Sequence, residues 1–268
     1  MTEPPRKKVA VITGASEGLG RALARQMTAR GVHVVGIARR AEALAATAEL
    51  CAPGLFTAWP GDVADPALMR EIAARTEEDL GPVSILVNNA VIYERADFLN
   101  SLAEHACAHL QINCCGQINM TAAVLPFMVA RGRGRIVNIT SFAGETPLPG
   151  SLGYSVSKAA TRAFTRALVA EVALRMPDIV VSEWIPGIMH TRSGYRDGIC
   201  ADHAAAWGAE LALDDRPELH GTTFLRDREL LPHRSLRDRL KDALLLKPAP
   251  RPRMLAQNNP VLGQDTCS

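Results

Sequence analysis

Aromatic residues are scarce in this 268-residue chain, at 4%, and neither sign of charge dominates, with Lys+Arg 30 against Asp+Glu 28 and a formal net charge of +2. With no basic field and few stacking platforms, the chain is not expected to bind nucleic acid. Long hydrophobic runs are missing too. No apolar stretch approaches the ~18 to 20 residues that cross a bilayer, and MTEPPRKK leads into only a short apolar run before Gly14. Neither a transmembrane segment nor a secretory signal is expected. The six cysteines (Cys51, Cys107, Cys114, Cys115, Cys200 and Cys267) show no C-x-x-C pairing, which suits neither a zinc site nor a disulfide framework and points to reduced thiols in the cytoplasm. His105, Cys107 and His109 are spaced two apart and so do not share a helix face; no metal site is expected. Lysine is rare as well: 25 of the 30 basic residues are arginine, and between Lys8 and Lys241 the only lysine is Lys158.

What is present is ample apolar residue, 47% of the chain, enough for one sizeable core. Short continuous apolar runs at Val9 to Thr13, Val32 to Ala38, Ser84 to Val87, Arg135 to Thr140 and Ile179 to Trp184 read as strands covered on both faces. Between them lie helical patterns at Leu19 to Arg30, Ala41 to Leu50, Pro66 to Leu80, Ala103 to Val129 and Tyr154 to Met176, several ended by Gly or Pro. This alternation predicts an α/β, doubly wound parallel sheet, Rossmann-like, in a single domain. Beyond Leu225 the composition changes. Residues 226–268 are expected to form a C-terminal extension, in which Ser235 caps a short helix with Leu236, Leu240 and Leu244 on one stripe. Its proline-rich final stretch, from Pro248, is expected to be mobile.

Directly after the first strand comes Thr13-Gly14-Ala15-Ser16-Glu17-Gly18-Leu19-Gly20. Glycines let the backbone turn sharply and approach a ligand, and the N–H groups of a helix start attract phosphate oxygens. The turn fits a dinucleotide; the alternative is a tight strand-to-helix turn with no ligand. At the end of the second strand stand Arg39 and Arg40 in place of a ribose-binding carboxylate. A guanidinium pairs with a 2′-phosphate that a carboxylate would repel, so NADP(H) is preferred over NAD(H) unless both arginines are merely solvated.

Ser141 follows the strand Arg135 to Thr140; Tyr154 and Lys158 follow, four residues apart at the start of a long helix. Positions i and i+4 share a helix face, so the ammonium is expected beside the phenol, lowering its pKa and making Tyr154 a general acid or base. Ser141 is placed to hydrogen-bond the same substrate oxygen.

Together these residues resemble the short-chain dehydrogenase/reductase family of NAD(P)-dependent oxidoreductases. The likeness runs from about Lys8 to Leu225 in the ordered combination T-G-x-x-x-G-x-G, N-N-A, N, S, Y-x-x-x-K and P-G. It implies a domain over 1–225 with a substrate loop about 188–206. By that likeness the cofactor is held by Gly14, Ser16, Gly18, Leu19, Gly20 and Arg39, by Asp62 and Val63 at the adenine, and by Asn89 beneath. Lys158 and Tyr154 would sit at the nicotinamide ribose, and Pro186, Gly187, Met189 and Thr191 over the nicotinamide. Asn113 would join Ser141, Tyr154 and Lys158 in catalysis, linking the tyrosine to solvent together with Lys158.

Three features depart from the family pattern. Val91 stands where the family usually has glycine, and a β-branched residue there is costly if the backbone needs a positive φ. The segment after Thr191 is short, suggesting an open substrate site lined by Ile92, Tyr93, Phe142, Leu148, Leu152 and Met189. Past Leu225 the chain continues instead of ending in V-D-G-G. The resemblance implies hydride transfer between nicotinamide and a ketone or secondary alcohol of a hydrophobic small molecule, by a homodimer or homotetramer. The alternatives are an oxoacyl-thioester reductase served by acyl carrier protein and an inactive dinucleotide-binding scaffold.

Overall fold

A computed structural model describes residues 8–101, 103–173, 175–176, 178–190, 198–232 and 250–255. Six parallel strands, Val9–Thr13 (β1), His33–Ala38 (β2), Phe56–Pro60 (β3), Val83–Asn88 (β4), Gly134–Ile139 (β5) and Ile179–Ile185 (β6), form most of the main sheet. A two-residue pair, Met189–His190 (β7) and Ile199–Cys200 (β8), stands apart. Thr223–Leu225 (β9) joins β6 in parallel, and Arg228–Leu230 (β10) folds back antiparallel on β9. The strand order is β10-β9-β6-β5-β4-β1-β2-β3.

The chain reverses direction across the sheet between β1 and β4, so the crevice beyond their carboxyl ends is a topological switch point, where such sheets bind ligands. The strands that carry the continuous apolar runs are buried on both faces, and each face has its own core. Ala10 and Ile12 of β1 pack with Leu23 and Met27 of helix Gly18–Thr28 (α1), Leu44 of Ala41–Leu50 (α2) and Leu211 of Ala201–Leu213 (α7). Val9 and Val11 face Met69 of Pro66–Asp79 (α3), Val124 of Gly116–Arg131 (α5) and Val172 of Leu152–Ala173 (α6). Strand β3 was not foreseen. Its residues are only half covered and it ends in Pro60, so it lacks the apolar run that marks the inner strands.

The predicted long helix from Ala103 is broken in register. Helix Ala103–His109 (α4) passes through a π-helical turn, Leu110–Cys115, into α5, which stops at Gly132 in the left-handed conformation. Taken as one, Ala103–Arg131 is long and apolar enough to cross a membrane by length and composition, against the expectation that no such stretch exists; half of its most apolar window is buried inside the fold.

At the far side, the buried guanidinium of Arg135 donates to the carbonyls of Leu211 (3.0 and 3.2 Å), Ile136 (2.9 Å) and Val180 (3.1 Å), closing the end of α7. Burial lowers its pKa to about 9.

Residues 250–255 correct the expectation of a mobile tail. Glu229 N–H donates to Arg253 O (3.0 Å), Leu255 N–H donates to Asp227 O (2.8 Å), and Leu255 is buried in the first core. The sheet thus continues past residue 225 through β10. The helix expected at Ser235, Leu236, Leu240 and Leu244 lies outside the described residues.

Candidate active site

The turn after β1 is built so that only glycine fits. Gly14 and Gly18 have φ of 69° and 53°, and a Cβ on Gly20 would stand 2.1 Å from the Gly14 carbonyl oxygen. Thr13 and Asn89 clamp the turn to the end of β4: the Thr13 hydroxyl accepts from Asn89 N–H and Ala90 N–H (3.0 Å each), and Asn89 Nδ2 donates to Thr13 O (2.8 Å) and Gly14 O (3.2 Å). Arg21 braces it from behind, donating to Ser16 O (2.5 Å) and Thr47 Oγ1 (3.0 Å), while Thr47 donates to Ala15 O (3.0 Å). At the start of α1 no side chain caps the helix, leaving its first amides to a ligand oxygen. Ser16 is buried in the turn and Leu19 half-buried in the first helical turn. These residues fit a pyrophosphate.

The two arginines after β2 are not equivalent. Arg40 pairs with Glu17 at 2.7 Å, whereas Arg39 is exposed directly after the carboxyl end of β2. Asp62 accepts from Ala64 N–H (2.9 Å), and Val63 is buried against Gly116. Pro186 and Gly187 close β6, Gly187 with a φ of 97°, and the half-buried Met189 opens β7. Thr191 lies outside the described residues. Val91 is nearly half exposed, and Arg226 alone among described non-glycine residues has a positive φ, so the strain expected at Val91 does not arise.

Ser141, two residues beyond β5, and Tyr154, in the first turn of α6, come together, the serine hydroxyl close enough to lower the phenol's pKa. Ser141 Oγ also accepts from Ala143 N–H (3.1 Å). Lys158 is buried one turn along α6, its Nζ donating to Ile139 O (3.0 Å) and standing 5.7 Å over the centre of the Tyr154 ring. Asn113, in the π turn, donates through Nδ2 to Ile92 O (3.0 Å) and Ser157 Oγ (2.9 Å) and accepts from Ile92 N–H (2.7 Å). Tyr93, one residue on, packs edge-to-face on Tyr154 with centroids 4.6 Å apart. His109 holds the next residue: its Nε2 accepts from Glu94 N–H (3.2 Å) while Nδ1 faces His105 O (2.9 Å). Among the described residues no group of His, Cys, Asp and Glu could hold a metal.

The expected lowering of the Tyr154 pKa is corrected. Burial raises it, the Ser141 hydrogen bond opposes that only in part, and Tyr93 adds to the rise. The ammonium lies over the ring face and is spent on Ile139 O, so exclusion of water prevails. Burial likewise lowers Lys158 to about 8, against smaller raising influences of Cys114 and Glu183.

Sequence reading missed Thr13, Arg21 and Glu183. For Glu183 there was a signal, a lone carboxylate inside the apolar run Ile179 to Ile185.

A parallel sheet with a glycine turn at its switch point, beside a Ser-Tyr-Lys cluster, defines the class of dinucleotide-binding oxidoreductases. Residues 8–196 match the family model for short chain dehydrogenase. The chain belongs to the short-chain dehydrogenase/reductase family, NAD(P)-dependent enzymes that act on CH–OH and C=O groups. Dehydrogenase/reductase SDR family member 7B of Bos taurus is 38% identical over 194 residues, 69% of this chain and 59% of that protein, so the chain spans about three fifths of its length. Oxidoreductase UcpA of Escherichia coli (strain K12) is 37% identical over 186 residues, 69% of this chain and 70% of the other. Among solved structures, a metagenomic short-chain oxidoreductase in complex with NADP has a TM-score of 0.71 at 28% identity, covering 81% of this chain and 96% of its own. A short-chain dehydrogenase from Streptomyces avermitilis reaches 0.73 at 30% identity, covering 84% and 89%.

Proposed function

We propose that this chain is an NADP(H)-dependent oxidoreductase that interconverts a ketone and a secondary alcohol of a hydrophobic small molecule. The observation that carries the reading is the Ser141 hydroxyl set beside the Tyr154 phenol, on the same sheet edge as the glycine turn, with Lys158 buried beneath. Bound NADP(H) would supply or accept the hydride. Gly14, Ser16, Gly18, Leu19 and Gly20 would hold its pyrophosphate, Arg39 its 2′-phosphate, and Asp62 and Val63 its adenine. Asn89, Tyr154, Lys158, Pro186, Gly187, Met189 and Thr191 would hold its nicotinamide end.

Ser141 donates a hydrogen bond to the carbonyl oxygen, and Tyr154, a phenol protonated at neutral pH whose pKa burial raises further, delivers the proton to it. Lys158 and Asn113 serve the tyrosine as its link to solvent. The exposed Arg39, set against the paired Arg40, supports NADP(H) over NAD(H). Exposed Phe142, Leu148 and Leu152 beside the cluster support an apolar substrate. A cytoplasmic homodimer or homotetramer is part of the reading, supported by exposed Ile118, Val129 and Val156 on α5 and α6.

The test is Tyr154→Phe. Across a ketone panel, NADPH-dependent turnover is expected to fall by at least ~10²-fold, while NADPH affinity by fluorescence titration stays within a few-fold. Unchanged turnover would discard the assignment. Arg39→Asp is expected to weaken NADPH relative to NADH by about tenfold or more, as the loss of a charge-assisted phosphate contact; an unaltered ratio rejects the cofactor preference.

A further inference from the structure

Under the Ser-Tyr-Lys cluster lies a carboxylate with no place in the family's motif. Glu183, in β6, is 4% exposed and joins three elements. Its Oε1 accepts from the Thr140 hydroxyl (2.6 Å) and meets Arg162 Nε of α6 (2.6 Å), and its Oε2 accepts from the Thr223 hydroxyl of β9 (3.1 Å). Arg162 reaches on to Glu145 at the surface (2.5 Å). Thr140 is the residue between Ile139, whose carbonyl receives Lys158, and Ser141. The strand end that presents the serine is therefore held on consecutive residues by the lysine and by this glutamate. A cavity of about 180 Å³, lined by Arg162, Thr165, Glu183 and Thr223, has room for several waters.

We propose that Glu183 is a positioning residue of the catalytic edge, whose carboxylate, held by Thr140, Thr223 and Arg162, fixes the strand end that binds the Lys158 ammonium through Ile139 O and presents Ser141 beside Tyr154.

Four groups around Lys158 bear on its charge. Tyr154 is protonated at neutral pH. Cys114, in the π turn, has a thiol that burial pushes up and so keeps uncharged. Arg162, one turn along α6, carries the same sign as the lysine. Cys114 and, after it, Glu183 raise the lysine's affinity for its proton, and Glu183 is the carboxylate of the two. Removing a negative charge destabilises the ammonium, so Lys158 would release its proton at lower pH.

The inference rests on the Tyr154–Lys158 pair acting as proposed above, yet its test needs no substrate. The chain has five lysines, Lys7, Lys8, Lys158, Lys241 and Lys247, and 13C labelling at lysine Cε with Lys158→Arg as the assignment control isolates the buried one by NMR. Its midpoint, about 8 in the unaltered protein, is expected to move to lower pH in Glu183→Gln. Glu183→Asp keeps the charge and the Arg162 pairing but draws the carboxylate back, and is expected to lie between the two. If Glu183→Gln does not fold, the aspartate variant decides. A Lys158 midpoint unmoved in the folded variants overturns the proposal. Turnover of any active ketone adds a second readout: the alkaline limb of the pH profile is expected to move the same way, with KM for NADPH unchanged. Fluorescence titration of the unaltered protein with NADPH separates the questions, because absent binding would end the functional reading while leaving the lysine result to judge Glu183.

Discussion

Lys158 shows what a functional residue costs its own fold. Its pKa of about 8 in place of 10.5 means that between those values the unfolded chain holds a proton that the folded chain has released. Stability therefore rises with pH across that window, and at neutral pH the full penalty of a buried ammonium is present. Lys158→Met is expected to raise stability at pH 7 by about 1–3 kcal/mol and to flatten its rise above pH 8, with turnover lost. Urea denaturation at pH 7, 8.5 and 10 measures both; a variant less stable than the parent at pH 7 would refute the account. The sequence marked this residue through scarcity, one lysine across a long arginine-rich stretch. It could not show that the amine would turn to Ile139 O, or that burial would raise the Tyr154 pKa despite the nearby ammonium, because both depend on what the fold excludes.

At the level of elements, legibility followed burial. Strands β1, β2, β4, β5 and β6 were readable because both faces are covered and their apolar runs are unbroken, and the glycine turn because its spacing is local. Strand β3 was not, since half-covered Phe56–Pro60 has no pattern beyond that of a loop. The helix from Ala103 was found, but not its π turn, which adds one residue to a ring of the ladder without altering composition. The same turn sets Asn113 against Ile92, and with His109 it pins the segment that presents Tyr93. The α1 turn is the element least open to change. In Gly20→Ala the new methyl collides with the Gly14 carbonyl oxygen at 2.1 Å, so the turn must shift. A loss of about 1–3 kcal/mol in stability and a tenfold or greater loss of NADPH affinity are expected, read by thermal melting and fluorescence titration. An affinity equal to the parent's would show that the turn does not hold the dinucleotide.

Across the whole molecule, the sequence could not foresee how residues 250–255 return to the body. Prolines 250 and 252 discourage helix and argued for mobility, whereas the contacts of Arg253 and Leu255 with β10 and the Asp227 turn are long-range and leave no local mark. Burying a leucine contributes about 1.5–3 kcal/mol, and each kcal/mol moves the melting midpoint of a chain this size by about 2–4 °C. Deleting residues 250–268 is expected to lower it by roughly 3–10 °C; a midpoint unchanged within error would show that this docking adds nothing.

The same return has a consequence for solubility. Strand β10 would otherwise present a row of bare amides and carbonyls to any neighbouring chain, an invitation to intermolecular pairing. At the opposite margin Pro60 has no N–H to offer, and Arg75 lies across the Trp59 ring at 4.3 Å. One margin is blunted by its own side chains and the other by a borrowed peptide, so clumping after proteolytic clipping should begin at β10.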